Sequence, residues 1–114
     1  MNQGEIWLIN LNPSIGAEIQ KTRPGVIVNT NALSKHPLKV IVPLADWDER
    51  FKSAPWMISI MPDGKNGLTH HSAIDCFQVR SVSETRFVAK LGEVDSQVMD
   101  SIKLALSKVL SIHV

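Results

Sequence analysis

Apolar and polar positions alternate in short blocks along most of the chain, then change period near its end. Residues 5–11 put Ile6 and Leu8 on one side and Trp7, Ile9 and Leu11 on the other, so a strand covered on both faces is predicted there. Residues 25–29 are a β-branched run that predicts a central strand. Residues 38–44 predict a third strand, with Pro43 marking its end or an edge. Trp56, Ile58 and Ile60 alternate with Met57 and Ser59, the pattern of a half-buried strand. Residues 72–80 predict one continuous strand, with Ala73, Asp75 and Phe77 opposite Ile74 and Cys76, and residues 87–91 a short last one. Residues 31–33 predict a single helical turn.

At Asp95 the period becomes helical. Asp95 is placed to cap a helix over residues 96–111, in which Val98, Ile102, Ala105 and Val109 form a stripe reinforced by Met99, Leu106 and Leu110. Leu104 lies off that stripe, either as a lone exposed leucine or as a partner contact. Strands first and one amphipathic helix last predict an α+β domain: a small, strongly bent antiparallel sheet or open barrel with the C-terminal helix laid on it. No repeat or linker divides residues 1–114, so one domain is expected.

Composition narrows the picture only a little. The apolar fraction of 44% and charged fraction of 20% suit an ordinary globular domain. A net charge of +1 points to a small anion site or a face shared by two subunits, because a large nucleic-acid groove carries more basic excess. Cys76 is the single cysteine, which excludes an internal disulfide and suits a reducing cytosol. No signal peptide and no membrane-length apolar run is read, so a cytoplasmic protein is expected.

The stretch 10–24 concentrates the chemistry. It holds Glu18, Lys21 and Arg23 between two apolar runs; Asn12-Pro13 breaks the first strand and Gly16 frees the centre. Pro24 pushes Arg23 into an extended conformation and so gives its side chain a defined direction. No phosphate loop, serine elbow or metal-ligand spacing is present, and neither a metal nor a cofactor is expected.

Gly4-Glu5-Ile6-Trp7, then Asn12-Pro13, Gly16-Ala17-Glu18 and Lys21-Thr22-Arg23-Pro24, resemble the opening strand and first loop of the MazF/PemK toxins. Val40-Ile41-Val42-Pro43-Leu44, Gly67-Leu68, Gln78-Val79-Arg80-Ser81-Val82 and Leu91-Gly92 before the helix extend the resemblance over nearly the whole chain. It implies an SH3-like barrel, a homodimer, a cognate antitoxin that covers the RNA face, and metal-independent cleavage of single-stranded RNA at a short sequence. In that reaction the ribose 2′-hydroxyl attacks the neighbouring phosphate and leaves a cyclic phosphate.

Arg23 is the expected catalytic group for phosphate charge, since a guanidinium fork matches phosphate oxygens; alone it would read as a surface ion-pair arginine. Glu18, in the same loop, is the expected catalytic base, and otherwise a solvated carboxylate. Expected RNA contacts are Gln20, Lys21 and Thr22 in the first loop, Asp46, Trp47 and Arg50 after the third strand, and Gln78 and Arg80. The sequence departs from the family at two places. Ala45 stands where many members carry a threonine or serine hydroxyl, and Ala17, Asp75 and Phe77 occupy the positions of a second version of the site, built from His, Arg and Asp. Asp46 or the pair His70-His71 could stand in; the pair could also be no more than a polar strand start. A relative that binds RNA or antitoxin without cutting, and a CcdB-type gyrase poison, are the competing readings; the second is disfavoured because no tryptophan follows Trp56.

Overall fold

The computed structural model describes residues 1–113. Seven strands form an antiparallel sheet: β1 Glu5–Asn10, β2 Thr22–Ile27, β3 Leu38–Asp46, β4 Met57–Ile60, β5 Ser72–Asp75, β6 Arg80–Ser83 and β7 Phe87–Glu93. The helix α1 spans Ser96–Val109, with the Asp95 carboxylate accepting from the Val98 amide. The strand order is β4-β5-β3-β2-β1-β7, with β6 also paired to β3, and the two ends do not close on each other. This is the open, bent sheet with a C-terminal helix that the pattern of the chain predicts.

The bend comes from β3. It pairs with β2 on one side, while its other side serves β6 through residues 38–41 and β5 through residues 44–46. Pro43 sits where that second partner changes, so its missing N–H falls at an interruption of the ladder. The strand therefore does not end at Pro43 but runs on to Asp46. Pro24 is accommodated in a related way: it pairs with Leu8 of β1, and β2 does not meet β3 until Gly25.

Two apolar clusters lie on the two faces of the sheet. Ile6, Val26, Val42, Leu44, Ile74 and Cys76 pack against Met99, Ile102 and Ala105 of α1. Ile9, Leu11, Ile27, Ile41 and Val82 form the second cluster, with Trp7 and Phe87 against it. Strand β1 is thus covered on both sides, as its uninterrupted apolar run requires.

Residues 72–80 differ from the continuous strand read in the sequence. The Asp75 carboxylate accepts from the Phe77 amide at 3.1 Å and starts a 3-10 turn over Cys76–Gln78 that separates β5 from β6. A short carboxylate that bonds to its own backbone competes with the ladder, and here it wins. The second strand also starts earlier than expected, at Thr22, so Arg23 belongs to β2 and not to the loop before it.

Candidate functional site

Residues 11–21 form a loop fastened at several points. The Asn12 side chain accepts from the Lys21 amide at 3.0 Å, and the Ser14 hydroxyl donates to the Leu11 carbonyl at 2.6 Å. Arg86 donates to the carbonyls of Asn10 and Asn12. Gln78 spans from the 3-10 turn: its side-chain oxygen accepts from the Ile19 amide at 2.7 Å, and its nitrogen donates to Ala17 O at 3.3 Å and Asp75 Oδ2 at 3.1 Å. Both protons of that amide are committed, and Asp75, buried and bonded at both oxygens, supports it from below. Burial pushes the Asp75 carboxyl upward despite these hydrogen bonds.

Downstream of this clamp, β2 carries Arg23 opposite Ile9 and delivers it, half-buried, to a concavity of about 390 Å³. The same concavity is lined by Leu44, Ala45 and Asp46 at the end of β3, by Thr69 and His70 just before β5, and by Ser72 at its start. Among the described residues the Arg23 guanidinium has no carboxylate partner and makes no hydrogen bond. A half-buried guanidinium facing open space with its donors unused is suited to receiving an anion. Ala45 offers no hydroxyl there.

Glu18 lies elsewhere. Together with Gln78, Arg80, Phe77 and Pro43 it lines a second concavity of about 460 Å³. Its carboxylate is exposed and accepts from the Ile15 amide at 2.7 Å, closing the tip of its own loop. The structure does not bring Glu18 and Arg23 into one concavity, although five residues separate them in sequence. Gln20, Lys21 and Thr22 are exposed, with no side-chain hydrogen bond among the described residues, and Lys21 adopts a left-handed φ of 69°.

Trp47 is folded back, not splayed into solvent. Its ring stacks on His71 at 5.0 Å and 13°, meets Phe51 edge-on, and donates from Nε1 to Glu49 at 2.9 Å. Arg50 is exposed and engages Asp48 through Nε at 3.0 Å and Nη2 at 2.8 Å. Those bonds hold the Asp48 carboxyl down at about 2. The two adjacent histidines diverge: His71 bonds to the Ser59 hydroxyl at 2.6 Å, while His70 Nδ1 meets Thr69 Oγ1 at 2.8 Å. Among the described residues no group of three His, Cys, Asp or Glu side chains is placed to hold a metal ion.

Residues 2–110 match the family described as PemK-like, MazF-like toxin of type II toxin-antitoxin system. The chain belongs to this family. It is 32% identical to Endoribonuclease PemK of Escherichia coli over 97% of the chain and 83% of that protein. It is 25% identical to Endoribonuclease MazF9 of Mycobacterium tuberculosis over 93% of the chain and 96% of that protein. The fold superposes on MazF of Deinococcus radiodurans with a TM-score of 0.80 at 19% identity, covering 98% of this chain and 97% of that one. It also superposes on a mycobacterial endoribonuclease solved with its cognate antitoxin, with a TM-score of 0.77 at 21% identity over 100% and 98% of the two chains.

Neither version of the site that the resemblance implies is complete in this chain. Ala45 faces the Arg23 concavity without a hydroxyl. Asp75 is a buried turn cap, and Phe77 is 63% exposed and packs edge-on against Trp56. What sequence reasoning missed is the support of the toxin's first loop by Arg86, and the use of Gln78 as a clamp. Those bonds link residues 76 and 59 positions apart, and only the Asp two places before Phe77 hinted at the turn.

Proposed function

We propose that this toxin is an endoribonuclease that cuts single-stranded RNA at a short sequence. The observation that carries the reading is Arg23: an uncommitted, half-buried guanidinium on a strand, facing a concavity large enough for a phosphodiester, in a chain similar throughout to Endoribonuclease PemK. In the proposed reaction a ribose 2′-oxygen bonds to the adjacent phosphorus and the bond to the 5′-oxygen breaks, leaving a cyclic phosphate and a free 5′-hydroxyl. Negative charge grows on the non-bridging oxygens, where a preset guanidinium stabilises the transition state more than the ground state.

The remaining expected contacts divide by place. Asp46 shares the Arg23 concavity, and Gln20, Lys21 and Thr22 form the exposed rim of the loop. Arg80 faces the second concavity with Glu18 and offers a further cationic point along an RNA strand. Trp47 presents a pre-stacked aromatic surface beside Asp46 for a splayed base, and Arg50 reaches solvent next to it. Gln78 serves RNA indirectly, through the loop it holds. On this reading the toxin acts in the cytoplasm as a homodimer and is held by a cognate antitoxin; the similar fold of a mycobacterial endoribonuclease in complex with its cognate antitoxin supports the last point. No helix among the described residues is long and apolar enough to cross a membrane.

The test is direct. Purified protein is incubated with a long single-stranded RNA in EDTA, beside Arg23→Ala and Glu18→Ala. Discrete cuts are expected with the parent protein; Arg23→Ala should lose about 100–1,000-fold in rate, the scale of one preorganised charge donor. Intact RNA at high protein concentration would remove the ribonuclease reading. Glu18→Ala should cut more slowly only to the extent that the loop tip loosens; a loss equal to that of Arg23→Ala would restore Glu18 to the chemistry.

A further inference from the structure

Two groups expected to help move a proton are missing from the Arg23 concavity: Ala45 brings no hydroxyl, and Glu18 opens onto the other concavity. Its titratable residues, taken over every element that lines it, are Arg23 from β2, Asp46 from β3 and His70 from the segment before β5. An arginine stays protonated across the working range and cannot serve as a base. A carboxylate brings negative charge toward a phosphodiester. An imidazole is neutral when it receives the proton and cationic afterwards, which suits a site where phosphate charge is growing.

We propose that His70 is the proton acceptor of this site, working opposite Arg23; the inference rests on the ribonuclease reading above. Its surroundings hold it for that task. Thr69 Oγ1 lies 2.8 Å from His70 Nδ1, so an Nδ1–H can donate to the hydroxyl while the Nε2 lone pair is left for a substrate proton. The same bond persists once the ring is cationic. Ser72 Oγ donates to the His70 carbonyl at 3.0 Å. Upstream, the fully buried Asn66 ties the turn together by accepting from Leu68 N at 3.0 Å and donating to Met61 O at 2.9 Å. Gly67, at φ 69°, backs so closely on β7 that an added Cβ would fall 2.0 Å from the Leu91 carbonyl oxygen. His70 is thus exposed and mounted on a fixed backbone, while His71 is turned away into its contacts with Ser59 and Trp47.

The step balances as follows. The 2′-hydroxyl gives its proton to His70 Nε2 as the 2′-oxygen bonds to phosphorus. The bond from phosphorus to the 5′-oxygen breaks with its electron pair staying on that oxygen, which takes a proton from water. The imidazolium then returns its proton to the hydroxide left behind, and no water is consumed.

Single-turnover cleavage of a long single-stranded RNA is measured from acid to alkaline pH with the full chain, His70→Gln, Thr69→Val and Arg23→Ala, alongside RNA binding by fluorescence anisotropy. The parent rate should climb with pH and level off above a single inflection, as a general base requires. His70→Gln should lose that inflection and about 100-fold in rate, the scale of a general base, with the same cut sites and unchanged RNA affinity. Thr69→Val should lower the rate and shift the inflection toward acid, because the imidazolium loses its acceptor. In a further variant, His70→Ala, added imidazole should partly restore cutting. If His70→Gln keeps the parental rate and inflection while Arg23→Ala is dead, the proposal falls and the ribonuclease reading stands. A loss of cutting in His70→Gln matched by an equal loss of RNA affinity also overturns it, in favour of a binding role. If the parent protein leaves the RNA intact, both fall together.

Discussion

The side-chain oxygen of Gln78 lies 2.7 Å from the amide nitrogen of Ile19, joining the 3-10 turn after β5 to the loop that precedes Arg23. Removing one partner of a part-buried hydrogen bond leaves the other unsatisfied, at a cost of about 1–3 kcal/mol. Gln78→Ala should therefore lower the melting temperature and open residues 11–21 to proteolysis. It should also slow RNA cutting by about 10–100-fold through misplacement of the site, with less effect on RNA affinity. Limited proteolysis and single-turnover kinetics on the same preparations check both halves. Parental protease resistance in Gln78→Ala would show that the loop is held without the clamp.

Lys39 gives a stability prediction remote from the Arg23 concavity. Its side chain is 1% exposed, and its ammonium donates to the Ser34 carbonyl at 2.8 Å and to the His36 carbonyl, with Glu84 at 3.8 Å. The apolar variant Lys39→Met leaves those carbonyls without their donor and should cost about 1–3 kcal/mol in denaturant unfolding. RNA cutting by the folded variant should be unchanged.

Cys76 should be chemically silent in the native protein. Burial, reinforced by the charge of Asp75, pushes its thiol up to about 12 from an ordinary 9.0. Thiolate is the reactive form, so a thiol reagent at pH 8 should label the folded protein only as fast as it opens. For stability, the unfolded thiol ionises from its ordinary value while the folded one stays neutral. The contribution is present below 9.0 and lost as pH rises toward about 12. Labelling rates with and without denaturant, followed by mass spectrometry, check the prediction.

Asp48 has the opposite sign. Its hydrogen bonds to Arg50 hold the carboxyl at about 2, below an ordinary 3.8. Its contribution is present above 3.8 and fades as pH falls through about 2. Carboxyl NMR should place its midpoint near the lower figure, and Arg50→Ala should return it toward the upper one. The pair is open to water, so little change in overall stability is expected, as for surface ion pairs generally.

Local pattern was sufficient for most of the architecture. The two-sided strand at Ile6–Ile9, the Asp95 cap and the helical stripe through Ile102 follow from side-chain period alone, because each burial requirement is met within one element. The extended backbone at Arg23 was also legible, since Pro24 restricts the residue before it. What the sequence hid depends on contacts between distant segments. A strand count over residues 72–80 misses the turn because the Asp75 carboxylate takes the Phe77 amide, a choice that burial at Asp75 and Cys76 helps decide. A shared loop and the family resemblance paired Glu18 with Arg23, while in the fold the two line different hollows. The stack of Trp47 on His71 had no signature at all, as neither residue constrains the other until β3 and β5 pair.

The turn at Cys76–Gln78 also bears on how such toxins can diverge. Asp75 occupies a position where the alternative form of the site carries an arginine, and here its carboxylate caps the turn and steadies Gln78. Replacing it with arginine alone would remove the cap and loosen the clamp on the first loop before any new chemistry was in place. Passage between the two forms therefore couples Asp75 to the loop's anchorage: the clamp through Gln78 is lost unless both change together.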